Sequence, residues 1–322
     1  MRQLRERASE RPALTAVIVL GVLFLALIVF EGLHDVAQTS LTGLTTGSIY
    51  ALGAVGLTLV YGILKLTNFA HGDFLTFGAY MAYLINFEIG APLILGIIFA
   101  MVATAALGVA SEKILWAPMR ARKAGLLQLL LISIGLAFVI RSVVQFIWST
   151  KSRTLDVDVT STVKFLGLRI GQTELIVLIT GVVVLLAVGA MLRYTLLGKR
   201  MRALSDDLDL AETAGIDTSR IILYTWLFAG ALAGLAGVLD GSLYNLKPEF
   251  GFALLLPIFA AVVLGGIGDA FGALAGGMVL GLITELSTLV VDSQWKLTFG
   301  FAALIIVLIV RPEGIFGKAR TV

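Results

Sequence analysis

The residues that invite a chemical reading lie close together. Between Leu41 and Ile63 runs an apolar stretch long enough to cross a bilayer, interrupted by hydroxyls at Thr45, Thr46, Ser48, Tyr50, Thr58 and Tyr61, and directly after it come Asn68, His71, Gly72 and Asp73. A charged or imidazole group at membrane depth costs several kcal/mol unless it meets water, a partner or backbone, so these side chains must face a protein interior or an aqueous path. Thr45, Thr46, Ser48, Tyr50, Asn68, His71 and Asp73 are therefore candidates for lining a path across a membrane. The alternative is structural: the hydroxyls bond their own helix backbone, while His71 and Asp73 satisfy the end of a broken helix. Arg141 is the one charged residue placed well inside an apolar run, with Gln145 on the same helical face. It either holds a substrate carboxylate, snorkels outward or pairs with an acid such as Glu285. No set of residues resembles a catalytic centre. The chain has no cysteine and only two histidines, His34 and His71, so thiolate metal sites, thiol nucleophiles and a His-rich metal site are excluded.

The elements that must position these residues are transmembrane helices. Of the 322 residues 58% are hydrophobic and 14% charged, and the mean hydropathy is +0.99. A soluble core of this size would need far more charge on its outside, so the chain is read as an all-α polytopic membrane protein. At roughly 20 residues per crossing it has room for eight to ten spans. Long uninterrupted apolar runs favour helices over a barrel.

The spans fall at about 12–30, 41–63, 70–86, 90–111, 125–148, 173–192, 221–243, 252–267, 270–291 and 296–310. The first is read as a retained signal-anchor helix, because its apolar run exceeds a signal-peptide core and no small-x-small cleavage pattern follows. Residues 1–38 thus form an N-terminal anchor and loop, and 39–322 the remainder of a single transmembrane domain. With the first basic end inside, 17 Lys and Arg residues fall in stretches read as cytoplasmic against 6 in those read as exterior, which puts both termini in the cytoplasm. The same distribution ties the net charge of +3 to membrane lipid and gives no reason to expect a nucleic-acid partner. Segments 70–86 and 252–267 are short and bordered by glycine-rich turns, so either is a candidate re-entrant or broken helix. This topology puts the hinge at Asn68–Asp73 near the cytoplasmic side, as a gate or helix-breaking element, and leaves pathway lining to the hydroxyl-bearing helix before it.

Two loops stand out. Residues 149–172 alternate polar and β-branched residues and are expected to form a short hairpin or irregular cap, either a tether or a docking surface for an exterior partner. Residues 199–218 read as one short amphipathic helix on the cytoplasmic side. Ser205 would serve as N-cap and Gly215 as terminator, with Met201, Leu204, Leu208 and Ala211 on one face and Arg202, Asp207, Asp209 and Glu212 on others. Gly72-Asp73 and Gly268-Asp269, each followed by a Gly-Ala pair, hint at an internal repeat.

Four blocks in order, YALGAVGLTLVYGILKLTNFAHGDFLTFGAYMAY (50–83), GKRMRALSDDLDLAETAGID (198–217), VVLGGIGDAFGALAGGMVLGLITE (262–285) and RPEGIFGK (311–318), resemble the permease subunits of branched-chain amino acid ABC importers, specifically the LivH type. The resemblance runs from about Thr39 to the C-terminus. It implies a transport subunit of a prokaryotic plasma (inner) membrane, without enzymatic activity or cofactor of its own. A second homologous permease would enclose the path with it as a hetero- or homodimer, an extracytoplasmic substrate-binding protein would deliver cargo, and two cytoplasmic ATPase subunits would supply energy. The chain carries no GxxxxGK[ST] phosphate loop. The resemblance makes Arg202, Asp207, Asp209, Glu212 and Gly215 candidates for contact with the ATPases; loop 113–124 is a second candidate contact or, equally, a basic loop anchored at anionic headgroups. Urea and short-chain amide permeases share these motifs and form the alternative cargo class. An ion-coupled secondary transporter is the alternative mechanism, set aside because only Arg141 lies clearly inside a span.

Overall fold

Helix α1, Leu33–Leu64, runs for 32 residues through the centre of the structure, a computed structural model that describes residues 28–158, 160–165, 167–311 and 313–315. At 1.5 Å per residue it is about 48 Å long, more than a bilayer's hydrocarbon core requires. In its most apolar stretch 89% of the residues are buried, so it is walled by other helices and not by lipid. Around it stand α2 (His71–Tyr83, continued by a wider π turn, Leu84–Glu88), α3 (Leu93–Ala121), α4 (Leu126–Trp148) and α5 (Gln172–Tyr194). Two short helices, α6 (Leu196–Asp206) and α7 (Leu208–Thr213), lead to α8 (Thr218–Leu243), α9 (Phe250–Gly265), α10 (Ala270–Leu289) and α11 (Lys296–Val310).

Six of these, α1, α3, α4, α5, α8 and α10, are long and apolar enough to cross a membrane. α9 and α11 are apolar but shorter, and α2 is the shortest of the core helices. The chain is thus a multi-pass helical membrane protein, and the expected spans from 41–63 onward each coincide with a helix. The proposed anchor at 12–30 falls almost wholly outside the described residues.

Glycine faces set the packing. A Cβ on Gly281 would lie 2.3 Å from the Gly47 backbone, and one on Gly277 2.5 Å from Ala51, while Gly43 and Gly47 face Leu282 and Met278. These pairs descend α1 as they climb α10, so the two helices run antiparallel with their backbones nearly touching. In lipid, where apolar side chains gain little by leaving the solvent, such close backbone approach is what holds helices together. The α9–α10 hairpin uses the same device at Gly265 and Gly272, and its turn depends on Gly266 at φ 114 and Gly268 at φ 90, a conformation that side chains disfavour.

The periphery looks different. In α4 and α5 only 28% and 22% of the most apolar stretch is buried, and Phe146, Ile147, Val183 and Leu186 lie exposed. Residues 149–171 do form a hairpin, β1 (Thr162–Phe165) with β2 (Leu168–Gly171), though later in the loop than the polar alternation suggests. Gln38 clamps it to α1 by accepting from the Arg169 N–H and donating to its carbonyl. Asp158 accepts from the backbone and hydroxyls of Thr160 and Ser161, which holds its carboxyl well below the usual range.

The glycine contacts give a direct test. Gly281→Val should cost about 1–3 kcal/mol by overpacking the α1–α10 seam. Gly135→Ala, at a helical glycine with nothing within 4 Å of its Cβ position, should leave stability unchanged or slightly raised. Thermal melting of the two variants in detergent separates the cases.

Candidate functional site

The break between α1 and α2 is where the candidate residues converge. α1 ends at Lys65, whose φ of 52 is left-handed and whose N–H bonds the Tyr61 carbonyl. The irregular residues that follow do not stay at the end of the bundle. They turn back inward, so that α2 begins beside the middle of α1.

His71 shows the depth. Its Nε2 sits 2.9 Å from the carbonyl of Gly53, eleven residues before Leu64 and hence about 17 Å up the helix. Gly53 in turn packs against Ile258, halfway along α9. The hinge therefore folds back to lie beside the middle of α1 and α9 and not at their ends. Positive-inside counting assigns a segment to a side of the membrane; how far a loop folds back is set by packing.

Most, though not all, of the polar groups at the break find partners; the Asn68 Nδ2 is buried with none among the described residues. Asn68 Oδ1 accepts from the Ala70 N–H and Ser133 Oγ from the Phe69 N–H, covering two donors that the broken helix leaves open. Asp73 is fully buried and forms a two-pronged ion pair with Arg141, Nε to Oδ1 at 3.0 Å and Nη2 to Oδ2 at 3.1 Å. The Arg141 guanidinium also lies 4.6 Å from the ring centre of Phe252 in the first turn of α9. Of the fates the sequence offers Arg141, pairing is the one observed, but with Asp73 and not with Glu285. Glu285 accepts instead from Thr46 at 3.1 Å and from Lys296 at 2.9 Å.

The hydroxyls of α1 divide. Thr45 donates to the Leu41 carbonyl and Ser48 to that of Thr45, the local bonding that lets a hydroxyl live in an apolar helix. Thr46 reaches across to Glu285. Tyr50 is buried, and its hydroxyl makes no hydrogen bond to any described residue. All of Thr45, Thr46, Ser48, Tyr50, Asn68, His71 and Asp73 are buried within this one chain.

One buried ionisable group, Asp240 in α8, is not among those the sequence singles out, although an acid between Gly237 and Gly241 in an apolar run is a visible signal. Asp73, Asp240 and Glu285 join Arg141 among the buried or half-buried charges of the spans. The premise that Arg141 is the only such charge does not hold.

At the opposite end, the single expected amphipathic helix is two, α6 and α7. The caps are Thr195, whose Oγ1 accepts from Gly198 N–H, and Asp207, whose carboxylate accepts from Leu210 N–H; Ser205 lies inside the last turn of α6. The break follows from Asp207, which caps better than it continues a helix. Met201, Leu204 and Ala211 are buried as expected, and Gly215, at φ 81, ends the second helix. Arg202 donates to the Leu192 carbonyl and so fastens α6 to the end of α5. Asp209 and Glu212 point outward. Lys65 donates to the carbonyls of Gly62 and Ser205, joining the end of α1 to the same platform. The stretch 113–124, expected as a loop, is helical through Ala121 as the last turns of α3, and its Arg120 pairs with the buried Glu112.

These features define a polytopic helical permease-like core with a broken helix at mid-depth and a short-helix platform at one end. Residues 39–309 match the family described as the branched-chain amino acid transport system / permease component, and the chain belongs to that family. It is similar to the high-affinity branched-chain amino acid transport system permease protein LivH of Salmonella typhimurium, 34% identical over 299 residues covering 87% of this chain and 95% of the relative. BraD of Pseudomonas aeruginosa, which bears the same description, is 31% identical across 89% of this chain and 97% of its own length. The ribose import permease protein RbsC of Escherichia coli matches over 136 residues, 40% of this chain and 42% of its own, at 30% identity. The chain is accordingly a transport permease component.

Removing one member of the Asp73–Arg141 pair should leave a buried charge uncompensated. Arg141→Met alone is expected to cost about 3–5 kcal/mol, and the double variant Asp73→Asn, Arg141→Met markedly less. Denaturant unfolding in mixed micelles across the four-protein cycle measures the coupling.

Proposed function

We propose that this chain is one of two permease subunits of an ATP-driven importer for branched-chain amino acids. The observation that carries the proposal is similarity along nearly the whole chain to proteins named as high-affinity branched-chain amino acid permeases. ATP is hydrolysed by partner subunits, since the sequence has no phosphate loop. An extracytoplasmic binding protein delivers the cargo to the face that carries the 149–171 hairpin.

Residues 1–322 act as one transmembrane domain, with a signal anchor at 1–38 and the permease core at 39–322. About ten helices, eight of them at the least, lie across the membrane, with both termini in the cytoplasm of a prokaryotic plasma (inner) membrane. Segment 199–218 is the ATPase dock, where Asp209, Glu212 and Gly215 present the contact surface while Arg202 and Asp207 hold its shape. Closure of the ATPase dimer displaces α6 and α7 as a rigid piece. Through Arg202 on α5 and Lys65 on α1, that displacement tilts the attached spans and reaches the hinge at Asn68–Asp73, giving alternating access. The hydroxyl-bearing face of α1 borders the path.

The reading is tested with the permease pair, its ATPases and its binding protein in proteoliposomes. Uptake of leucine, isoleucine and valine should require internal ATP and persist without a proton or sodium gradient. Uptake of urea or acetamide in place of leucine, or leucine uptake driven by an ion gradient alone, would overturn it. Asp209→Arg with Glu212→Arg should leave the permease folded yet bring uptake to background and reduce co-purification of the ATPases.

A further inference from the structure

The end of the bundle opposite α6 and α7 holds a second polar cluster, built from four helices. Thr46 and Tyr50 come from α1, Asp240 from the last turn of α8, Glu285 from the end of α10 and Lys296 from the first residue of α11. Glu285 is buried, and its Oε1 is occupied by Lys296 at 2.9 Å and Thr46 at 3.1 Å. Its second oxygen has no hydrogen-bond partner among the described residues.

Asp240 is the exceptional member. Only 7% of its surface is exposed, yet its carboxylate makes no hydrogen bond and no salt bridge with any described residue. Asp240 stands three helical turns beyond Ala229, whose carbonyl meets Gly56 of α1, and since α8 leaves the α6–α7 end at which α1 stops, this brings it level with Thr45 and Thr46 on the α1 side of α8, within electrostatic range of Tyr50 and Lys296. Two carboxylates against one ammonium leave one acid without a counter-charge, a burial that is relieved when the acid takes up a proton or a cation joins it. Three acceptors on these helices make no hydrogen bond to a described residue: the Asp240 carboxylate, Glu285 Oε2 and the Tyr50 hydroxyl. A primary ammonium has three N–H donors and one positive charge, and so matches both counts. Residues Thr288–Ser293 and Trp295, in the chain between Glu285 and Lys296, line an open hollow of about 570 Å³.

We propose that Thr46, Tyr50, Asp240, Glu285 and Lys296 form a subsite for a primary ammonium group, with Asp240 as its counter-charge and Lys296 holding Glu285 in place. Identifying that ammonium as the amino group of an imported amino acid rests on the function proposed above; the ammonium site itself does not. Cargo entering from the binding-protein side would meet this subsite before the mid-depth hinge. The aliphatic side chain contributes nothing to the recognition, so branched-chain amino acids share the subsite with other primary amines.

The test uses wild-type permease with its partner subunits in nanodiscs. A hydrophobic carbodiimide is added, and modification of Asp240 is followed by mass spectrometry. Leucine and isoamylamine should each slow the modification, whereas 4-methylpentanoate, which keeps the chain and lacks the amine, and sodium should not. Calorimetry should show isoamylamine binding weakened at least about tenfold in Asp240→Asn, with the melting temperature unchanged. Unaltered modification in the presence of both amines, or protection by sodium alone, overturns the subsite. Protection by isoamylamine together with failed leucine uptake would retain the subsite and remove the import reading. Leucine uptake without protection by either amine would do the reverse.

Discussion

Everything polar in the middle of this protein must be satisfied by the protein itself, and α1 is where that constraint is met. A helix with so many hydroxyls and glycines is a poor lipid-facing surface, but it makes a good internal pillar. Its glycines admit α10 to backbone contact, and the hydroxyls of Thr45 and Ser48 bond local carbonyls while that of Thr46 bonds Glu285; Thr58, also buried, has no hydrogen-bond partner among the described residues. With lipid kept away by α2, α5, α8, α9 and α10, the chain can break after Leu64 and restart α2 at mid-depth without stranding backbone groups in hydrocarbon. Asn68 and Ser133 complete the seal.

The same enclosure explains the Asp73–Arg141 pair. A carboxylate in the first turn of α2 is favoured by the helix dipole, yet its burial requires a close cation. Arg141 supplies it from α4 while stacking on Phe252 of α9, so one guanidinium ties three helices together. Backbone contact between Gly72 and Gly251 sits next to that tie. The two short helices, α2 and α9, thus meet at a polar latch in the core. At the end of the bundle where α1 stops, Lys65 and Arg202 fasten the α6–α7 platform to α1 and α5. Contacts thus run from the surface helix pair through Lys65 to the residues just before the hinge.

Much of this was legible in the sequence, for identifiable reasons. Apolar runs of bilayer length announce helices regardless of how they pack, so the spans coincide with the observed elements. The short-helix platform was visible in the spacing of Met201, Leu204 and Ala211. Its division at Asp207 was harder to see, because Ser205 is an equally good capping residue and the choice depends on where the preceding helix is pinned. The depth of His71 and the partner of Arg141 were beyond reach for a different reason. Both depend on contacts between residues far apart in the chain, His71 with Gly53 and Arg141 with Asp73, and charge counting carries only the sidedness of loops. Asp240 could have been found, since one acid in an otherwise apolar span is conspicuous.

The central claim is that α1 is an internal pillar enclosed by its own chain, with α4 and α5 facing outward. It is tested most directly by photolabelling wild-type permease in native-like bilayers with a lipid-soluble diazirine and mapping the adducts by mass spectrometry. The account expects adducts on the outer faces of α4 and α5, including Phe146, Val183 and Leu186, and none across residues 43–63. Adducts recurring along α1 at helical spacing would contradict it.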